Sequence, residues 1–77
     1  MLHVIVKLFP GRSEQQKVEL AQQIVNDVVR IAGADVKSIS VAIKEVSAED
    51  WTEKVYEPDI AGQWDKLYQK PGYKPIC

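Results

Sequence analysis

Sulfur and imidazole are nearly absent from this 77-residue chain, which has one cysteine, Cys77, and one histidine, His3. A single thiol forms no disulfide within the chain, so a reducing, cytoplasmic setting is expected. One histidine and one terminal cysteine have no ligand spacing between them, so no metal site is expected. Neither sign of charge is in surplus. Ten Lys and Arg stand against eleven Asp and Glu, a net charge of -1, and the two signs are interleaved along the chain. That pattern excludes the one-sided basic footprint of a nucleic-acid binder. No apolar run approaches the roughly 18 residues of a membrane span. Met1-Leu2-His3 opens directly on a strand pattern, without a basic region followed by a long apolar stretch, so no signal peptide is expected. Repeats, linkers and low-complexity tracts are missing as well. The length predicts a single domain, residues 1–77, near the lower limit at which one core stabilises a fold alone. With no disulfide and no metal expected, self-association is the remaining source of buried surface.

The residues that are present alternate clearly. From Leu2 to Phe9, Leu2, Val4, Val6 and Leu8 share one face and His3, Ile5, Lys7 and Phe9 the other, which predicts a strand covered by a helix on one side. Pro10-Gly11 stops it. Ser13 with Gln16 three residues later is a capping box, and Glu14 suits the positive end of a helix dipole. Val18, Ala21, Ile24, Val25, Val28, Val29 and Ala32 then recur at helical spacing as one stripe, and Gly33 stands where a positive φ ends a helix. Ser38 to Val46 alternates again, Ile39, Val41 and Ile43 against Ser40, Ala42 and Lys44, and predicts a second strand. The fold class is α/β: a β-α-β unit with parallel strands. Ser47 is a second cap signal. Pro58 is expected to open a short C-terminal helix with Ile60, Trp64, Leu67 and Tyr68 on one side, ended by Gln69-Lys70-Pro71-Gly72. Two strands and two helices leave a sheet face and strand edges uncovered. Two chains are therefore expected to join into a larger shared sheet, a homodimer.

The segment Leu8-Phe9-Pro10-Gly11-Arg12-Ser13-Glu14-Gln15-Gln16-Lys17 resembles the first turn of the 4-oxalocrotonate tautomerase family. The resemblance continues through Leu20, Ile24 and Val28, covers Ser38 to Val46 with Glu45, and reaches Trp51. The tail through Lys70-Pro71-Gly72-Tyr73 is similar to the longer, phenylpyruvate-type branch. The resemblance implies a β-α-β fold that pairs into dimers, in some members stacked into hexamers. It implies keto–enol interconversion of small 2-oxo acids without a cofactor. An amino-terminal proline, freed when the initiator methionine is removed, acts as general acid and base. An arginine binds the substrate carboxylate and draws electron density as the enol develops, and an aromatic residue closes a dry wall that lowers the amine's pKa.

Carried onto this chain, the resemblance makes Arg12 the carboxylate-binding and electron-withdrawing residue and Trp51 the aromatic wall. An arginine near a helix start can equally be a solvated partner of Glu14, and a tryptophan can be simple interface packing. Ser40 stands where some members carry a second arginine and supplies no charge, so a second carboxylate on the substrate would bind less well. Leu2 stands where the family has its proline base. It has no ionisable group, and methionine before leucine is not expected to be trimmed, so the free amine would sit one residue further out. A deliberate replacement, a natural loss of activity and different chemistry on the same scaffold all fit Leu2. The expected function is therefore tautomerisation of small 2-oxo acids such as phenylpyruvate, weak or lost, and the alternative is a non-catalytic small-carboxylate-binding or oligomerising module. His3, as a lone histidine, reads as a hydrogen-bonded structural residue. Tyr56, Trp64, Tyr68 and Tyr73 read as core and interface, because no basic groove accompanies them. Cys77 reads as exposed, without a base to activate it.

Overall fold

A computed structural model describes residues 1–74 of the chain, and the reading of Cys77 lies outside them. Two compact units divide the chain after Glu45.

The first unit is the β-α-β arrangement. Strand β1 is Leu2–Leu8, helix α1 is Glu14–Asp27 and strand β2 is Ile39–Glu45. The strands run parallel, with Leu2 opposite Ile39, Val4 opposite Val41, Val6 opposite Ile43 and Leu8 opposite Glu45. The capping box forms as the sequence predicts. The Gln16 amide donates to Ser13 Oγ at 3.1 Å, and the Ser13 amide donates to Gln16 Oε1 at 2.8 Å. Two of the four orphan amide donors at the helix start are thereby satisfied. The helix runs on into a wider π-type turn over Val28–Ala32 and stops at Gly33, whose φ of 70° is left-handed. A short 3-10 turn, Val36–Ser38, leads into β2. The sequence pattern does not signal it; Asp35 caps it by accepting from the Lys37 amide at 3.1 Å.

Helix α1 lies beside β2, and Val18 and Ala21 border an open hollow with Val41 and Ile43. Lys17 ties the two elements electrostatically, 3.3 Å from Glu14 and 3.4 Å from Glu45, with only 20% of its side chain exposed. The predicted apolar stripe is covered only along its middle: Ala21, Ile24, Val25 and Val28 are half-buried, while Val18, Val29 and Ala32 are exposed. Two strands about 4.8 Å apart are no wider than the helix they must cover. No residue of this unit is fully buried; among the described residues only Val55, at 4% exposure, is.

The second unit starts as Ser47 predicts, with the Asp50 amide donating to Ser47 Oγ at 3.3 Å. Helix α2, Ala48–Trp51, continues with wider π-type turns over Thr52–Ile60. Here the structure corrects the sequence. Pro58 lies inside this segment instead of opening a new helix. The Ser47 cap nucleates the helix early enough to carry it to that position, where proline removes one backbone donor. The chain continues as a 3-10 segment, Ala61–Lys66, kinked at Gln63, whose φ of -124° and ψ of 23° are not helical. Leu67 is already extended, so Leu67 and Tyr68 are not helical, and the stop comes before Gln69-Lys70-Pro71-Gly72. Trp64 and Tyr68 are exposed accordingly. Among the described residues no helix is long and apolar enough to cross a membrane.

Replacing Ser13 with Ala should lower stability by about 0.5–2 kcal/mol through loss of the cap, read as a lower urea midpoint with an unchanged slope. Lys17 generates a pH effect. Its hydrogen bond to Glu14, with the charge of Glu45 adding, raises its pKa above the ordinary 10.5. A raised folded-state pKa stabilises fully below the unfolded value and stops doing so as pH climbs through the folded value. Stability should therefore fall on the alkaline side of 10.5, and Lys17→Met should remove that part of the loss in urea titrations across the alkaline range.

Candidate active site

Parallel register sorts the side chains of the first unit into two faces. Leu2, Val4, Val6 and Leu8 share the α1 face with Ile39, Val41, Ile43 and Glu45. His3, Ile5 and Lys7 share the opposite face with Ser40, Ala42 and Lys44. Leu2 is half-buried at the start of β1 and has nothing to titrate.

Arg12 sits past the other end of β1. Pro10-Gly11 makes the turn, and Gly11 adopts a φ of 128° that few other residues tolerate. The guanidinium donates to the Phe9 carbonyl at 3.4 Å and is otherwise exposed; among the described residues it pairs with no carboxylate. Its alternative partner, Glu14, is engaged by Lys17 instead. The six steps from Leu2 to Leu8, at about 3.3 Å each, put the far end of β1, from which the turn carrying Arg12 departs, roughly 20 Å from Leu2. The first unit therefore does not bring these two predicted site residues together.

Ser40 has a partner that the sequence does not announce. It stands opposite His3 across the strand pair, and His3 Nδ1 lies 2.6 Å from Ser40 Oγ. Both are second residues of their strands, so aligning the strand starts in parallel would have paired them. His3 is exposed.

Trp51 closes α2 in the second unit and is half-buried. Its indole Nε1–H donates to the Tyr73 hydroxyl at 2.9 Å. The Tyr73 ring lies 5.7 Å from that of Tyr56, tilted by 53°, within the range of favourable aromatic pairs. The tail thus returns to orient the predicted aromatic wall, a role for Tyr73 that spacing alone does not reveal. Among the described residues no group of three or more His, Cys, Asp or Glu could hold a metal ion.

Residues 3–54 match the family described as Tautomerase enzyme. The chain is 40% identical to a probable tautomerase of Xylella fastidiosa over 77 residues, all of this chain and 94% of that protein. It is also 40% identical to the tautomerase PptA of Cronobacter sakazakii, over 96% of this chain and 99% of the relative. Among solved structures it is similar to TomN, a 4-oxalocrotonate tautomerase homologue in the tomaymycin biosynthetic pathway. That likeness has a TM-score of 0.61 and 26% identity, over 64% of this chain and 75% of the other. It is similar too to the 4-oxalocrotonate tautomerase homologue TTHB242, with a TM-score of 0.62 and 26% identity over 78% and 97% of the two chains.

Tyr73→Phe keeps the ring and removes the acceptor. The Trp51 indole proton should then exchange faster with solvent and its resonance should move, with about 0.5–1.5 kcal/mol of stability lost. Nuclear magnetic resonance reads it, with Trp51→Phe identifying the signal; an unmoved resonance would mean that Tyr73 does not hold the indole.

Proposed function

The chain belongs to the tautomerase family, and from that premise we propose that it catalyses keto–enol tautomerisation of a small 2-oxo acid such as phenylpyruvate, weakly as its sequence stands. The observation that carries the proposal is Arg12: an exposed guanidinium, unpaired with any described carboxylate, standing where the resemblance puts the carboxylate-binding residue. A planar guanidinium holds a carboxylate through two parallel hydrogen bonds and favours the charge that develops on the enol oxygen. Ser40 adds no second cation, which suits a monocarboxylate. Trp51 supplies an apolar wall suited to an aromatic or aliphatic body.

Arg12 serves Leu2's end of the strand only if another copy brings it there. The proposed active unit is accordingly a homodimer or a higher even assembly, with residues 1–77 acting as one domain of it, in the cytoplasm. Its open strand edges and sparse burial support that assembly. No cofactor is called for, because the chemistry is a proton moved between carbon and oxygen.

Weakness follows from Leu2. The resemblance puts a proline amine there, and the nearest amine in this chain is Met1's, one residue further out. A misplacement of about 1 Å can cost about 100-fold. The absence of an ionisable group at Leu2 also favours a second reading, a module that binds small carboxylates without turning them over. A 2-oxo acid bound but not converted, and released on Arg12→Ala, is the outcome that would select it.

Leu2→Pro, with removal of Met1 verified by mass, should raise the enol-to-keto rate on phenylpyruvate by about 10²–10⁴-fold, the usual contribution of a positioned acid-base group. The lost Leu2 burial should cost at most about 1.5–3 kcal/mol. Equal rates in two folded, correctly processed proteins would mean that the missing proline is not what limits this chain and that the proline-amine mechanism does not carry over to it.

A further inference from the structure

We propose that His3, seated on Ser40, is the group that moves the proton in this chain, in place of the amine that Leu2 displaces; the proposal rests on the tautomerase reading above. Four observations lead to it. Leu2 carries no proton. Met1 is fully exposed, at 110%, and nothing described holds its amine in place. His3 is the next residue, is exposed, and among the described residues is held at one nitrogen, Nδ1, by Ser40 Oγ at 2.6 Å. Its imidazole also has a second ring nitrogen, Nε2, able to take a proton and to give one.

The hydrogen bond suits both halves of a tautomerisation. A neutral imidazole that donates its Nδ1 proton to Ser40 Oγ exposes the Nε2 lone pair, which is a base. The imidazolium formed when Nε2 takes a proton keeps the same Nδ1–H···Oγ bond, because a serine hydroxyl accepts in either case. The ring is therefore held in one orientation while Nε2 alternates between base and acid. The step balances without a co-reactant. Nε2 removes the enol hydroxyl proton, that bond's electron pair closes the carbonyl, and the carbon of the former double bond takes a proton from Nε2. Ser40 acts as a positioning residue.

The next pair on this face is Ile5, 47% exposed, opposite Ala42. An enol bound at Nε2 could lay an apolar or aromatic body along it. The lysines of the face, Lys7 and Lys44, stand four residues along, about 13 Å from His3 and Ser40 by strand rise. That is too far to reach the carboxylate of the same small molecule, which leaves that task to Arg12 of the second copy.

The test is a double-mutant cycle in the full chain. Asparagine keeps an amide near the place of Nδ1 and lacks Nε2. His3→Asn should lower kcat on enol-phenylpyruvate by about 100-fold or more in the parent. In the Leu2→Pro background, where a proline amine takes over, the loss should shrink below tenfold. Chemical acetylation of the Met1 amine should leave most of the parent's turnover. His3→Gln is the companion variant, and circular dichroism checks that each protein is folded. Equal losses in both backgrounds would overturn the proposal, because a structural histidine hurts both alike. Loss on acetylation with His3→Asn silent would overturn it in favour of the amine. An inert parent with an active Leu2→Pro variant would overturn it together with the weak turnover proposed for the parent, and leave a tautomerase scaffold that needs the proline. If parent and variant were both inert, the two would fall together.

Discussion

Apolar side chains on this fold outnumber the places in which one copy can bury them. A pair of strands about 4.8 Å apart presents a surface hardly wider than one helix, and α1 alone covers one side of it. The result is visible residue by residue. Leu2, Val4, Val6, Ile39, Val41 and Ile43 are half-buried, not buried, and Ile5, Leu20, Val29, Ile31 and Val36 remain exposed. Burial of apolar surface is the main favourable term in folding, so so thin a core leaves little to offset chain entropy. Local devices make up part of the deficit. The Ser13–Gln16 box, the Gly33 stop and the Lys17 bridge to Glu14 and Glu45 each hold an element where packing alone is slight.

The same geometry divides the candidate site. A strand is stiff, and its two ends lie one strand length apart. Leu2 is at one end of β1 and Arg12 past the other, so a 2-oxo acid a few ångströms long cannot touch both in one copy. Thin burial and a split site are two consequences of one architecture, and a second copy would remedy both. The alternating faces of the strands add a further consequence. Leu2 points toward α1 while His3 and Ser40 occupy the other side of the sheet, so a change at residue 2 leaves the His3–Ser40 pair structurally independent of it.

Much of the first unit is legible in the sequence because local rules govern it. Period-two alternation marks β1 and β2, the serine–glutamine spacing marks the start of α1, and a glycine marks its end; the structure keeps all four. The family resemblance was legible too, in the run from Leu8 to Lys17. Tertiary choices were not. Pro58 reads as a helix start by its own chemistry, but the Ser47 cap acts eleven residues earlier and carries the helix past it. Ile60, Trp64, Leu67 and Tyr68 have helical spacing, yet the kink at Gln63 and the extended Leu67 break that periodicity. The His3–Ser40 and Trp51–Tyr73 bonds join residues 37 and 22 positions apart, and only strand register and the return of the tail make them partners.

Assembly is the claim on which burial and site both depend, and sedimentation equilibrium across a micromolar concentration series tests it most directly when circular dichroism is followed on the same samples. A mass of two chains, or a higher even number, with an unfolding midpoint that rises with concentration, is the predicted result. A folded species of one chain's mass throughout the series would contradict it.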